Sequence, residues 1–278
     1  MRENAMFIKD EAQAYEECVE ATAHFIHKNG FSDVVIGLSG GLDSSLVAAI
    51  ACDAIGAAHV HGVLLPGPFT SERSLEDALM LARGLEMETH TVSIVQAYDD
   101  LRAAFEDACG EPLVGIASEN IQARCRMIML MAFSNQFGWL MLNTGNRSEA
   151  AMGYSTLYGD TAGAFAPLGG LYKTEVIRLA EWRNAQAKSA GDDPVIPLSI
   201  LAKPPSAELS ADQTDEASMG IEYVVLDAIL DALSEENFDT MAPALKRFDP
   251  QQLKMVSDRY HANAFKRAVE PPLAAVSR

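Results

Sequence analysis

The order of apolar and polar positions predicts alternating strands and helices along the first half of the chain. Short runs rich in apolar and β-branched residues are typical of buried strands, and apolar residues at helical spacing are typical of helices. The runs that predict strands are 34–37, 59–65, 88–94 and 137–142. The stretches that predict helices are 8–29, 46–55, 70–85, 98–109 and 118–135. Because the connections are short, we expect an α/β fold, with a doubly wound parallel sheet and flanking helices.

The second half of the chain is less periodic. Helical spacing returns at 171–183, 221–233 and 250–268. The segment 153–170 is rich in Gly, Tyr and Thr and is long for a connection, which favours a functional loop. The Pro-Pro pair within 203–208 predicts a rigid extended segment. With 278 residues, of which 49% are hydrophobic, the chain can build a sizeable core, and we predict a single domain over 1–278.

The junction between the first strand and the following helix is the strongest candidate for chemistry. Its sequence is Val34-Val35-Ile36-Gly37-Leu38-Ser39-Gly40-Gly41-Leu42-Asp43-Ser44-Ser45. A strand that turns through glycine and serine into a helix presents free backbone N–H groups and the positive end of the helix dipole, which together bind phosphate. Gly40 and Gly41 let the backbone approach the anion without an intervening Cβ. An ordinary glycine turn is the alternative interpretation.

The carboxylate of Asp43 in this loop changes the expected chemistry. A carboxylate repels phosphates unless a cation lies between them, and Mg²⁺ prefers carboxylate and phosphate oxygens together. The loop is not a Walker loop, since no Gly-Lys-Ser/Thr follows at the required spacing, and it lacks the dinucleotide fingerprint Gly-x-Gly-x-x-Gly. We therefore predict a phosphate site that uses magnesium.

Composition narrows the possible partners. The formal net charge of −18 argues against nucleic acid or an anionic membrane surface as a general partner. No apolar run approaches the length of a membrane span. Residues 1–30 carry acids throughout and lack the basic start and apolar block of a signal peptide. The four cysteines and six histidines show no metal-ligand spacing. These features predict a cytoplasmic protein that binds neither nucleic acid nor membranes.

Seven blocks of the sequence, taken in order, resemble the NAD synthetases of the ATP pyrophosphatase superfamily. The blocks are 39–44, 119–127, 144–149, 153–160, 171–174, 203–209 and 213–216. The resemblance covers almost the whole chain and implies an adenine nucleotide alpha-hydrolase-like fold. It also implies a reaction, in which ATP adenylates nicotinic acid adenine dinucleotide (deamido-NAD) and ammonia then displaces AMP to give NAD. Members of the family are homodimers, so we expect a homodimer.

The resemblance assigns residues to ATP and to magnesium. The ATP phosphates would be held by Gly37, Leu38, Ser39, Gly40, Gly41, Leu42, Asp43 and Ser44. Further ATP contacts would be Thr144, Lys173 and Ser206. Magnesium would be carried by Asp43 and Glu149, which follow two predicted strands and would meet at one edge of the sheet. The plainer interpretations are an N-cap for Ser206 and a helix N-terminal acid for Glu149.

The resemblance also implies how ammonia is used. Asp160 would lie near the reacting carboxylate and orient ammonia, although a turn residue is its plainer interpretation. Asp43, Asp160 and Lys173 form the predicted catalytic set. The sequence Thr-Leu-Tyr-Gly-Asp is more similar to the synthetase half of glutamine-dependent members, in which a glutaminase domain precedes that half. Since this sequence begins with the first helix of the synthetase, we expect free ammonia, or ammonia from another chain, as the nitrogen donor.

Basic residues are the candidates for binding deamido-NAD. Arg124 is the preferred residue and Arg126 the alternative, since the two fall at different angles on their helix and only one can point into the site. By resemblance, the pair Lys266 and Arg267 would also reach this substrate.

The sequence departs from many ammonia-dependent members at Leu157 and Ala164, where those proteins have a lysine and an aspartate that contact the substrate. Two other hypotheses are kept. One is a different ATP pyrophosphatase, such as a GMP synthetase domain or a tRNA thiolase, which the downstream blocks and the lack of paired cysteines disfavour. The other is a protein that senses ATP or AMP without catalysis, which has no need for the metal pair.

Overall fold

The computed structural model describes residues 7–211 and 213–278. Within them, a central four-stranded sheet contains β1 (Val34–Gly37), β2 (Val60–Leu64), β3 (Glu88–Thr91) and β4 (Leu140–Met141). All neighbouring strands are parallel, in the order β3-β2-β1-β4. Ligands bind such sheets where the strand order changes direction, which here is between β1 and β4. The predicted α/β architecture is confirmed.

Helices surround the sheet and continue beyond it. Those within the described ranges are α1 (Glu11–Lys28), α2 (Leu42–Ile55), α3 (Glu72–Gly84), α4 (Val95–Cys109), α5 (Ile116–Phe137), α6 (Arg147–Met152), α7 (Lys173–Ala190), α8 (Leu198–Leu201), α9 (Asp215–Met219), α10 (Tyr223–Glu235), α11 (Pro250–Ala262) and α12 (Ala264–Arg267). The sequence does not predict α6, α8 and α9, because helices of four to six residues carry too little periodicity to be recognised.

Both outer strands are shorter than predicted. The strand predicted at 88–94 ends at Thr91, and the strand predicted at 137–142 contains only Leu140–Met141. The preceding helix α5 extends further than expected and ends at Gly138, which has a φ of +73°. The chain therefore reaches the sheet only after this left-handed turn.

Two C-terminal helices also differ from the prediction. The helix predicted at 171–183 continues to Ala190, where the left-handed Gly191 ends it. The helix predicted at 250–268 is divided at Asn263. The side-chain amide of Asn263 donates to the backbone carbonyl of Arg259 at 2.8 Å, and this bond caps α11.

Helices cover both faces of the sheet. Val34 and Ile36 of β1 lie in the core formed with α1, α2, α3 and α7. Val35 points the other way, into the core formed with α4 and α5. All three side chains are completely buried. Such burial on both faces is what a parallel sheet requires, and it fixes the direction in which β1 delivers its loop.

A third core lies in the C-terminal part of the chain. It is formed by α6, α10 and α11, with Leu226, Ile229 and Val256 fully buried. Because α6 follows the carboxyl end of β4, this helical core adjoins the same edge of the sheet as the loop after β1. None of the helices in the described ranges is long and apolar enough to cross a membrane.

Candidate active site

The loop between β1 and α2 has the backbone arrangement that a phosphate site requires. Gly41 is the N-cap of α2 and contributes no side-chain hydrogen bond to the first turn. The hydroxyl oxygens of Ser39 and Ser44 lie 3.0 Å apart, and the N–H of Ser39 donates to the Ser44 hydroxyl at 3.3 Å. These bonds fix the loop, while the helix N-terminus faces a cavity in which its dipole would stabilise an anion.

Gly40 is required by a packing contact that the sequence does not show. Its φ is +73°, and a Cβ at this position would lie 2.1 Å from the backbone oxygen of Ser74 in α3. The glycine therefore permits the loop to pack against α3. Gly41, unlike Gly40, lines the cavity.

The cavity beside the loop has a volume of about 390 Å³. The predicted residues that line it are Gly37, Leu38, Ser39, Gly41, Leu42, Asp43, Ser44, Thr144, Glu149, Asp160, Lys173 and Ser206. Those that lie outside its lining are Gly40, Arg124, Lys266 and Arg267. The fold thus brings together the residues predicted for ATP and magnesium, except Gly40, whereas the preferred candidates for deamido-NAD (Arg124, Lys266 and Arg267) lie outside this cavity.

Lys173 connects the two carboxylates that the sequence predicts as a metal pair. Its side chain is only 2% exposed, its ammonium contacts Asp43, and the Oε1 atom of Glu149 lies 3.9 Å away. The Nδ2 atom of Asn146 donates to Oδ1 of Asp43 at 3.0 Å. Asn146 also forms a reciprocal capping box with Glu149 at the start of α6. Glu149 is therefore both a helix N-terminal acid and a member of the site.

Burial and mutual charge set the protonation of this cluster. Burial raises the pKa of Glu149 well above its usual range, and the nearby charge of Asp43 raises it further. Burial alone would lower the pKa of Lys173, but the charges of Asp43 and Glu149 outweigh it, so this pKa is raised. The ammonium consequently stays charged and holds the two carboxylates at the phosphate loop.

Two further residues, for which the sequence predicts no role, complete the surroundings of Lys173. The ammonium of Lys173 lies 5.7 Å from the ring centroid of Tyr223. The Tyr223 hydroxyl donates to Oδ2 of Asp215 at 3.2 Å. Asp215 is 4% exposed and lines the cavity, and burial raises its pKa. It lies within the sequence block 213–216, which is the only signal that could have indicated it.

A buried carboxylate on α10 holds α6 and α7 together. Oδ1 of Asp227 accepts from the hydroxyl of Ser148 at 2.5 Å. Oδ2 accepts from the backbone N–H and the hydroxyl of Thr174 at 2.9 and 2.8 Å. The backbone N–H of Lys173 donates to the Ser148 hydroxyl at 2.9 Å. Asp227, which is fully buried, thereby fixes the position of Lys173 relative to α6, which carries Glu149.

The donor set at the loop fits a hard divalent cation. Of the side chains lining the cavity, six are acidic (Asp43, Glu149, Asp160, Glu208, Asp215, Glu270) and three are basic (Arg126, Lys173, Lys203). A polyphosphate cannot enter this acidic surface without added positive charge. Within the described residues, no group of three or more acidic, histidine or cysteine side chains is arranged to hold a metal alone. The carboxylates of Asp43 and Glu149 suit Mg²⁺, because this ion is usually held by one or two carboxylates and completes its shell with phosphate and water.

Asp160 lies at the cavity in the loop that the sequence marks as functional. The backbone N–H of Thr156 donates to its Oδ1 at 2.5 Å, and its backbone carbonyl accepts from Asn143 at 2.7 Å. Desolvation of its carboxyl by the surrounding loop raises the pKa of Asp160 to about 6, although the residue as a whole is exposed to solvent. Lys266 reaches this loop from α12 and donates to the carbonyls of Gly153 and Ser155.

The two arginines of α5 point in different directions, as their spacing predicts. Arg126 lines the cavity and donates from Nε to the backbone carbonyl of Leu65 at 3.1 Å. Arg124 donates from Nε to the backbone carbonyl of Leu157 at 3.2 Å. Arg126, the alternative candidate, is thus the one at this cavity, and the assignment of either arginine to deamido-NAD stays a prediction.

Ser206 does not cap a helix. Its hydroxyl donates to the backbone carbonyl of Gln213 at 2.6 Å and accepts from the N–H of Glu208 at 3.2 Å. The N-cap of α9 is Thr214. Ser206 instead ties together the extended segment that forms one side of the cavity.

Comparison with known proteins places this arrangement in a family. The family model described as NAD synthase matches residues 14–270. A glutamine-dependent NAD(+) synthetase of Rhodobacter capsulatus is 45% identical over 270 residues, which cover 95% of this chain and 48% of the relative. The chain thus spans about half the length of the curated relatives it matches.

Solved structures give the same result. An NMN synthetase from Francisella tularensis is 28% identical, with a TM-score of 0.79 over 94% of this chain and 97% of that one. An NH3-dependent NAD synthetase from Campylobacter jejuni is 29% identical, with a TM-score of 0.72 over 92% of this chain and 96% of that one. From its sequence, its fold and the residues gathered at its phosphate loop, this chain belongs to the NAD synthase family.

Proposed function

We propose that this chain converts deamido-NAD to NAD, consuming ATP and ammonia and releasing AMP and pyrophosphate. The observation that carries the proposal is the convergence of Asp43, Glu149 and Lys173 on a glycine- and serine-rich loop at a helix N-terminus. Such a site suits phosphoryl chemistry, because the protein contributes positioning and charge neutralisation to that chemistry. Membership of the NAD synthase family supports the choice of substrate.

In the first step, an oxygen of the nicotinate carboxylate bonds to the α-phosphorus of ATP. The bond from that phosphorus to the oxygen bridging to the β-phosphorus breaks, and pyrophosphate leaves with the electron pair. The backbone N–H groups at the start of α2 and the ammonium of Lys173 neutralise charge on the phosphates. Mg²⁺, when held by Asp43 and Glu149, would add charge that screens these carboxylates from the phosphates. The product is a mixed anhydride of nicotinate and AMP.

In the second step, the nitrogen of ammonia attacks the carbonyl carbon of this anhydride. The carbon–oxygen bond to the phosphate breaks, AMP leaves, and one N–H proton is lost. Asp160 is the proposed acceptor of that proton, because burial raises its pKa to about 6. At neutral pH such a carboxylate is ionised, yet more basic than an ordinary aspartate, which suits it to general-base catalysis.

Ammonia, free or supplied by another chain, is the proposed nitrogen donor. A glutaminase needs a nucleophile activated by a lowered pKa or an adjacent base. Burial instead raises the pKa of Cys18 and of Cys52 to about 12, and it raises the pKa of Cys125 as well. The remaining cysteine, Cys109, ends α4 and does not line the cavity. These environments support a chain that uses ammonia without generating it.

The test is formation of NAD from deamido-NAD, ATP and Mg²⁺, with ammonium chloride or glutamine as the only nitrogen source. NAD is expected with ammonium alone. Formation of NAD with glutamine, in ammonia-free purified protein, would contradict the proposed donor. No NAD from either source, with ATP still bound, would favour a different adenylating enzyme or a nucleotide sensor. Nicotinic acid mononucleotide belongs in the same assay, because the structural relative from Francisella tularensis is an NMN synthetase.

A homodimer is part of the proposal. Large apolar side chains are exposed along α4, α5 and the segment between them, with Phe105, Val114, Ile116 and Ile128 at 41%, 67%, 75% and 56%. Such exposure is typical of a surface that a partner covers. Sedimentation at micromolar concentration is expected to show a dimer. Ile128→Glu is expected to shift it towards monomer, and a monomeric wild-type protein would contradict the proposal.

A further inference from the structure

A second basic residue lies next to the phosphate loop, on the side of Gly40. The residue is Lys203, whose ammonium donates to the hydroxyl of Ser74 at 2.6 Å and to Oε1 of Glu208 at 2.9 Å. Lys203 lines the cavity, and its side chain is 20% exposed. The backbone oxygen of Ser74 is the atom that a Cβ on Gly40 would approach to 2.1 Å. Ser74 therefore lies between Lys203 and the phosphate loop and contacts both.

The carboxylate of Glu208 occupies a site that is built for an anion. Four donors converge on it: the ammonium of Lys203, the hydroxyl of Ser74 at 2.6 Å, and the hydroxyl and backbone N–H of Ser71 at 3.1 and 3.4 Å. Ser71 is the N-cap of α3, a helix of 13 residues whose dipole also favours an anion there. An internal carboxylate thus fills a site beside the proposed triphosphate.

The backbone conformation and the ionisation of Glu208 show that the surrounding structure holds its carboxylate at this site. Its φ is +47°, a left-handed conformation that is unfavourable for a residue other than glycine. Burial alone would raise the pKa of Glu208, but hydrogen bonds from Ser74 and Lys203 outweigh it and leave this pKa below its usual value. The carboxylate is therefore ionised, and it competes for Lys203 with any anion that enters the cavity.

The other basic residues of the cavity are committed elsewhere. Lys173 is held by Asp43 and Glu149. Arg126 donates to the backbone carbonyl of Leu65 at 3.1 Å and to the hydroxyl of Thr70 at 3.4 Å. Among the described residues, Glu208 supplies the carboxylate that accepts a hydrogen bond from Lys203. The flexible side chain of Lys203 leaves it able to exchange that partner for a phosphate oxygen.

We propose that Lys203 is a further phosphate-binding residue, which exchanges Glu208 for the polyphosphate of the nucleotide when that nucleotide binds. Lys203 and Lys173 then flank the phosphate loop from two sides. The inference rests on the proposed function, since it takes ATP as the ligand. It assigns Glu208 the role of an internal anion that holds Lys203, and with it the 203–208 segment, against α3 until the phosphate arrives.

The test is binding of ATP to the full chain in the presence of Mg²⁺, by calorimetry, without deamido-NAD or ammonia. Lys203→Gln is expected to weaken ATP binding about tenfold, equivalent to about 1.4 kcal/mol. Glu208→Gln, which breaks the same ion pair but keeps the lysine, is expected to bind ATP at least as tightly as wild type. Wild-type affinity in Lys203→Gln would overturn the inference. So would an equal loss in both variants, because the pair would then serve only to hold the segment.

Two probes separate charge from shape. The affinities of the three proteins for inorganic tripolyphosphate are expected to fall in the same order as their affinities for ATP. Adenosine is expected to bind wild type, Lys203→Gln and Glu208→Gln with equal affinity. An equal loss of adenosine binding in Lys203→Gln would overturn the inference, since adenosine has no phosphate. If Lys203→Gln does not fold, weaker tripolyphosphate binding by Glu208→Gln than by wild type would overturn it. Failure of wild type to bind ATP would instead overturn the proposed function itself.

Discussion

The two walls of the cavity are built in opposite ways. The loop wall, Gly37–Ser44, is one continuous stretch from the last residue of β1 to the first turn of α2. The helical wall takes Glu149 from α6, Lys173 from α7 and Asp215 from α9. The contact of Lys173 with Asp43 joins residues 130 positions apart, and that of Asn146 with Asp43 joins residues 103 apart. One wall is a local structure, whereas the other exists only in the folded chain.

The two walls are held in position by different parts of the structure. β1 is paired on both sides and buried on both faces, so it delivers the loop in one direction. The helical wall depends on the third core and on the bonds of Asp227 to Ser148 and Thr174. A substitution in the loop wall should therefore act through local conformation. A substitution behind the helical wall should act by displacing charged groups.

The largest expected effect is at the contact between the walls. Lys173→Ala removes the ammonium and leaves Asp43 and Glu149 facing each other at the phosphate loop. Loss of a preorganised charge of this kind costs about 100-fold or more in turnover, and we expect at least that loss of NAD formation. Lys188→Ala, at an exposed position of the same helix, is the matched control. Turnover within about tenfold of wild type in Lys173→Ala would show that the walls work independently.

The next effect tests whether the loop wall depends on α3. Gly40→Ala and Gly110→Ala place an alanine at nearly the same φ, +73° and +72°, but only Gly40 has a neighbour within contact distance. Both should lose about 1–3 kcal/mol of unfolding free energy from backbone strain. Gly40→Ala should lose about 2 kcal/mol more through collision with Ser74. Chemical denaturation measures the difference, and equal losses would show that the loop does not rely on that packing.

A smaller effect is expected behind the helical wall. Asp227→Asn keeps the shape of the side chain but removes the negative charge and one acceptor from the network with Ser148 and Thr174. Displacement of Lys173 should lower turnover about tenfold, as misplacement of a catalytic group does. Turnover should be measured well below the melting temperature, with Asp258→Asn, an exposed site on α11, as the control. Unchanged turnover would mean that the third core alone positions Lys173.

The smallest effect is a pH dependence that arises outside both walls. Burial raises the pKa of Asp160 to about 6, so its carboxylate gains a proton as the pH falls through that value. At pH 6 and constant free ammonia, turnover should be about half that at pH 8, since half of the carboxylate is protonated. Asp160→Asn should be slower and should lack this inflection. The same inflection in Asp160→Asn would assign the titration to another group.

The sequence pattern predicted a phosphate site at this loop because strand, glycine turn and helix are local signals, and the family resemblance assigned its eight residues. Seven of the eight predicted loop residues line the cavity. The eighth residue, Gly40, was recognised from its place in the motif. Its contact with Ser74 in α3, which requires a glycine, could not be recognised from the sequence. The resemblance to a family supplied Glu149 and Lys173. The strand pattern allowed Glu149 to meet Asp43 at one edge of the sheet, but no spacing along the chain linked Lys173 to either of them.

The parts that sequence patterns missed share a physical cause. Helices α6 and α9 are too short to show periodicity, yet they carry Glu149 and Asp215. The role of Asp227 depends on three donors from two other helices, and its sequence neighbours give no sign of it. The pairing of Lys203 with Glu208 and α3 depends on a fold of the Pro-Pro segment that local preferences do not specify.

The sequence by itself determined the α/β alternation, the phosphate loop after β1 and the acidic charge of the chain, because each depends on neighbouring residues or on composition alone. Only the tertiary structure decided that Lys173 would join Asp43 to Glu149, that Asp227 would hold the helices that carry them, and that Glu208 would occupy an anion site beside the loop. These contacts form between side chains far apart in sequence, and burial determines their protonation, so they arise only when the cores have packed.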